Sequence, residues 1–400
     1  MTAHAPTGRL PRAAPAWLLG AALAASACTT TDVIAVLGDA GPSSGRADYC
    51  PEPGPPVRGD GGDTCPAELI ASLFPRALCA CAEITTDDTL TVDGFDSLDG
   101  PYAPGGPGGS VATNGKLQAN GEVRVGEDLT VAGAEGAALA TALTVGRDLA
   151  SAGALSGPNA VVTVAGDAAV GGDVDLAELT VDGTMTLVDG AVLDVAAGER
   201  VTTLVRAPVD VAPACACADA DLLDVVGLVE HQRLDNDNQD IGLDPAALAN
   251  FGPDTTLELP CGRFFLDRVQ SDTGSLTLSV TGRAALYIAE GITLGRSWTI
   301  ALGPDAELDL FIANPVNVAG DLVLGDPAAP RRLRIYVGAG GSINLSGRSV
   351  LGANLYAPTV TLSLPADAEL YGALFVDRLA TSGPLEIHHD RAVLAPAACP

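Results

Sequence analysis

The chain has 400 residues, is 47% apolar but only 4% aromatic, and carries 50 acidic against 21 basic residues for a formal charge of −29. That charge repels nucleic acid and anionic headgroups and excludes nucleic acid as a partner, while the scarcity of rings leaves Val, Leu, Ile and Ala to build thin-layered cores. Length alone does not set the domain count, because elongated all-β folds often pass 200 residues undivided.

Residues 1–27 read as a signal peptide. Arg9 and Arg12 form a positive start, Ala13 to Ala24 an uncharged apolar stretch, and Ala25-Ser26-Ala27 places small residues ahead of Cys28. The "ASAC" stretch resembles a bacterial lipobox, with Ala25 where leucine is usual, and an ordinary signal peptidase would cleave the same bond. The expectation is an exported protein, lipid-anchored at Cys28, at the outer membrane, cell surface or periplasm. No later segment has the roughly 18 apolar residues of a membrane span.

Residues 28–64, centred on "EPGPPVRGDGGD", cannot bury apolar area and read as a flexible, disordered tether. The Arg58-Gly59-Asp60 tripeptide within it carries no weight by itself. Residues 65–82 read as a short helical segment containing cysteines, with the Pro66 to Ala80 helix interrupted at Pro75. Setting Cys28 aside leaves Cys50, Cys65, Cys79, Cys81, Cys215, Cys217, Cys261 and Cys399. In an oxidising compartment these form disulfides in one of roughly a hundred pairings. The Cys79-Ala80-Cys81 and Cys215-Ala216-Cys217 doublets are too tightly spaced for a usual zinc site.

Residues 83–214 form a first solenoid section. "VRVGEDLTVAG", "LTVGRDLASAG", "VTVAGDAAVGG" and "LTVDGTMTLVDG" recur roughly every 17 to 20 residues. Val123, Val125, Leu129 and Val131 alternate with polar neighbours in the period of a strand, with glycine at the corners. Asn-Gly hairpin signals are scarce, occurring at Asn114-Gly115 and Asn120-Gly121, which favours parallel coils over an antiparallel sandwich.

Residues 215–252 read as a helical insertion. Leu222, Leu223, Val226 and Val229 stand at helical spacing, and Asp244 caps a second helix with Pro245 at its first position. Residues 253–400 resume the strand texture as a second solenoid section. The fold class is therefore all-β, a parallel, right-handed β-helix with a short helical insertion.

Candidate chemistry is sparse. Asp235, Asp237 and Asp240, and likewise Asp93, Asp96 and Asp99, offer oxygens for Ca²⁺, but the first set lacks the EF-hand glycine and glutamate, and the second is good turn chemistry. Cys261 reads as a disulfide partner and not as a nucleophile. His388 and His389 precede Asp390, and in a strand the two imidazoles face opposite ways. His389 falls inward beside Leu385 and Ile387, whereas Glu386, His388 and Asp390 fall outward, so the stretch reads as the solenoid's last rung with at most a three-residue metal set.

The phrases "TVDGFDSLDGPY", "GSVATNG", "LPCGRFFL", "AELDLFI", "LRIYVG", "NLYAPTVTLS", "YGALFVDRL" and "IHHDRAVL", from Thr91 to Leu394, resemble an uncharacterised bacterial domain of type IV pilus-associated and exported proteins. The resemblance implies a solenoid similar to polymer-forming bactofilins. That family commonly ends Ile-His-Tyr-Asp where His389 stands here, and it transfers no catalytic residue. The expected function is a non-enzymatic structural or adhesive surface protein, without a cofactor, meeting a cell-surface protein or polysaccharide. The alternatives are a carbohydrate-active lyase or hydrolase and a pilus-associated or polymer-forming subunit.

Overall fold

A computed structural model describes residues 32–34, 50, 57–59, 62–64, 66–106, 108–338 and 340–394. Short alternating segments cannot bury a face alone, so they wind into three-sided coils and stack. Strands Thr255–Leu259, Gly262–Leu266 and Val269–Ser271 form the sides of one coil. Each pairs in parallel with its counterpart in the next coil, Leu276–Val280, Arg283–Ile288 and Ile292–Leu294. Repetition gives a β-solenoid of about 13 turns. The inward residues expected from the sequence, Val123, Val125, Leu129 and Val131, are buried in one aliphatic core that runs through the whole stack.

The two sections do not stack in chain order. Strand Leu374–Thr381 pairs in parallel with Leu78–Thr86, and Leu385–Asp390 with Leu90–Phe95. The second section therefore comes first in space, and its end runs into the beginning of the first section at a seam. The "LEIHHD" strand is thus a central rung and not the last one, which corrects the sequence expectation. The far end of the stack is Leu193–Arg206, whose ladder partner among the described residues is Val174–Leu187. At the opposite end, Asp32–Ile34 pairs with Thr255–Leu257. Within the expected tether, Val57–Gly59 and Gly62–Thr64 form a small antiparallel pair.

Corner glycines allow the coils to approach at 17 to 27 residues per turn, as where Leu179 sits over Val162 and Ser349 over Leu322. Gly146 lies directly over Gly126, and a Cβ there would stand 2.2 Å from the Gly126 carbonyl oxygen.

This arrangement forces the chain, after Arg206, to travel back along the stack before starting again at Thr255. What covers its route is legible in the register. Phe265, Tyr287, Phe311, Tyr336, Tyr356 and Phe375 occupy one outward column, one ring per coil, followed by Cys79 and Ala112. Tyr287 and Phe311 stack with centroids 4.8 Å apart, and Phe311 and Tyr336 at 4.6 Å. The returning segment lies over this column and makes a second apolar cluster outside the coils.

The returning segment is pinned along its length. Asn114 donates to the Cys215 carbonyl and accepts from the amides of Ala214 and Cys215, so this Asn-Gly corner serves docking. The Leu223 amide donates to the Tyr356 hydroxyl. Helix Val225–Gln232 begins at Asp224, whose side chain accepts from Gly227, and buries Val225, Leu228, Val229 and Gln232. Its face thus differs from the expected one: Leu222 and Leu223 precede the helix and Val226 is exposed. A four-residue helix, Asn238–Ile241, follows. The stretch after Asp244 is a turn and not a helix, with the Asp244 carboxylate accepting from Ala246. Helix Pro66–Leu73 ends before Pro75, and the chain is already a strand at Leu78.

Candidate functional site

The outward face at the seam carries the densest chemistry. Ladder register places Tyr371, His388 and Asp93 side by side on three successive coils, and Glu369, Glu386 and Thr91 in the neighbouring column. Residues two apart on a strand share a face, and adjacent strands lie about 4.8 Å apart, so these side chains must meet. The loop of residues 96–106 then folds over them and brings in Tyr102.

His388 is consequently 2% exposed and not solvent-facing as its alternation implied. Its Nδ1 lies 2.7 Å from a carboxylate oxygen of Asp93. The other Asp93 oxygen accepts from the Tyr102 hydroxyl at 2.8 Å and from the Gly105 amide at 3.3 Å. Burial pushes the Asp93 carboxyl up, but the bonds from His388 and Tyr102 outweigh it and hold the group below the usual carboxylate range. The Tyr102 ring lies over the imidazole at 3.9 Å, and Tyr371 stands at 4.8 Å. The Tyr371 hydroxyl donates to Glu369 at 2.6 Å. Burial, and then the adjacent carboxylates Asp93 and Glu369, push both phenols well up, so they stay protonated donors.

His388 Nε2 is buried without a hydrogen-bond partner. It faces Glu369 at 3.8 Å and Glu386 at 3.6 Å, and the three ligand atoms lie within 4.8 Å of one another. The sequence grouped Glu386, His388 and Asp390. The structure instead replaces Asp390 with Glu369, a residue 17 positions before Glu386 that only the coil register brings near.

Asp390 is fully buried and accepts from the amide and hydroxyl of Ser97 and from the Ala392 amide, which ties down the covering loop. His389 is buried, 4% exposed. Burial lowers its pKa to about 4, against a hydrogen bond to the backbone of Phe74.

Other candidates are dispersed. Asp93 is committed at the seam, whereas Asp96 accepts from the Leu98 amide and its carbonyl from the Asp99 amide, which is a turn. Asp237 accepts from the Arg263 amide, and its own amide donates to the Arg263 carbonyl. Asn238 makes the equivalent pair with Phe265. Asp237 is therefore a docking residue, while Asp235 and Asp240 do not join it as a calcium loop. Arg334 forks onto Asp309 at 2.6 and 3.0 Å and reaches Glu307 at 3.0 Å, a buried cluster whose carboxylates are spent on the guanidinium. Two cavities of about 20 Å³ lie inside the core, both lined by apolar side chains alone, such as Leu345, Leu351 and Leu355. That is about the room of one water, with no polar group to hold it.

Disulfides join Cys79 to Cys215, Cys81 to Cys217 and Cys50 to Cys261. Cys28, Cys65 and Cys399 lie outside the described residues. No described helix is long and apolar enough to cross a membrane.

Residues 224–395 match the family model of a domain of unknown function, DUF7305. The match spans the helices and the second solenoid section, so "TVDGFDSLDGPY" and "GSVATNG" fall outside it. No curated protein and no solved structure matches the chain.

Proposed function

We propose that this protein is an exported structural or adhesive scaffold of the cell surface, held to a membrane by a lipid on Cys28. The observation that carries the reading is the set of three disulfides, two of which fasten the returning segment to coils far away in sequence while the third ties Cys50 to Cys261. Such bridges persist in oxidising compartments outside the cytosol. The unbroken aliphatic core supports a scaffold, because stacked coils present long, regular outward faces to a surface protein or polysaccharide.

Fractionation of cells carrying the full-length gene tests this. Native protein is expected in the membrane fraction with incorporated fatty acid and no free thiols at the three bridges, and Cys28→Ser is expected to release it into the soluble exported fraction. Recovery in the cytosol with reduced cysteines would sink the proposal. Turnover of acidic polysaccharide by the purified protein would overturn its non-enzymatic part.

A further inference from the structure

We infer that the seam carries a binding site for a divalent transition-metal ion of zinc type, formed by Nε2 of His388 and the carboxylates of Glu369 and Glu386, with Asp93 orienting the imidazole. The inference goes beyond the scaffold reading and does not depend on it.

Three observations converge. First, the ligand atoms lie within 4.8 Å of one another, with the imidazole nitrogen 3.6 and 3.8 Å from the two glutamates. Ligand atoms around a tetrahedral zinc at about 2.0–2.1 Å stand about 3.3 Å apart, so a small inward turn of the Glu386 side chain, whose side chain is 56% exposed, closes the set. Second, His388 Nε2 is a buried polar atom with no hydrogen-bond partner, aimed between those carboxylates. A buried polar group left unpaired is costly, and a cation answers that cost.

Third, Nδ1 lies 2.7 Å from the Asp93 carboxylate, and a neutral ring that donates its Nδ1–H to that acceptor keeps the Nε2 lone pair free to ligate. Carboxylate–histidine–metal arrangements use this pairing to fix the tautomer and sharpen basicity. Tyr371 orients the Glu369 carboxylate through its 2.6 Å hydrogen bond.

The donor set also chooses the metal. Ca²⁺ and Mg²⁺ prefer oxygens throughout, whereas one imidazole with two carboxylates suits zinc and its neighbours. The Glu369 and Glu386 carboxylates flank this neutral imidazole at 3.8 and 3.6 Å, so a divalent cation would neutralise both. Glu369, Glu386 and His388 belong to the second section and Asp93 to the first, His388 and Asp93 being 295 positions apart. A bound metal therefore holds the rung where the two sections meet.

The test is calorimetric titration of chelator-stripped, full-length, disulfide-intact protein with ZnCl₂, alone and against excess CaCl₂ and MgCl₂. One zinc per chain is expected, undisplaced by calcium or magnesium, with a raised thermal midpoint. Glu386→Gln and Glu369→Gln are each expected to weaken binding at least tenfold, and Asp93→Asn by about 10- to 100-fold. Both glutamates are partly exposed, so their variants should keep the thermal midpoint of the metal-free parent and remain informative should Asp93→Asn misfold. Failure to take up zinc at 100 μM or below, equal affinity for calcium, or undiminished zinc binding by the Glu369→Gln/Glu386→Gln double variant would each overturn the site.

Discussion

Burial near the seam moves individual groups in different directions, pushing the Tyr102 phenol up and the His389 imidazole down. His389 is lowered from 6.5 to about 4 because burial disfavours the imidazolium. Between those values the unfolded chain binds a proton that the folded one does not, so folding stability is intact above pH 6.5 and drains away as pH falls toward 4. The loss has an upper size of about 3 kcal/mol. Denaturant unfolding across that range in chelator-containing buffer should show this slope, and His389→Tyr should flatten it; an unchanged slope would show that His389 is not its source. Glycine corners make an equally local case. Gly146→Ala drives a methyl against the Gly126 carbonyl and is expected to cost about 1–3 kcal/mol by chemical denaturation. A neutral result would mean that the coils can separate at that corner.

At the scale of elements, the returning segment is the unusual part. It must cross the ring column from the Cys79 level to Phe265, where Arg233 lies 5.1 Å over the Phe265 ring. Cys79–Cys215 and Cys81–Cys217 both close a loop of 136 residues, two positions out of step. Either bridge alone therefore restricts the unfolded chain almost as much as both. Replacing one pair by alanine is expected to cost under about 1 kcal/mol, and replacing both pairs about 2–4 kcal/mol. Additive losses in thermal or denaturant unfolding would contradict this account.

For the stack of coils, the seam reverses the ordinary relation between chain end and fold end. Leu385–Asp390 lies late in the chain yet has ladder partners on both sides, whereas Leu193–Arg206 lies mid-chain and has one among the described residues. Native-state hydrogen exchange should accordingly find the amides of Leu385–Asp390 and Leu78–Thr86 among the slowest, and those of Leu193–Arg206 orders of magnitude faster. Fast exchange at Leu385–Asp390 would mean that the seam is open in solution.

The sequence alone determined the inward rows, the glycine corners and the choice of parallel coils, because strand alternation and coil period are local properties that Val123, Val125 and Leu129 display within a few residues. It also marked His389 as a buried position. Only the tertiary structure decided that His388 and Asp390 are buried, that Glu369 joins Glu386, and that Asp93 faces His388. Those contacts arise from the register between coils and from a loop folding back over them, and alternation along one strand carries no information about either. The ring column was present in the sequence as isolated aromatics, but its cover became visible only once the order of the coils required the chain to return along it.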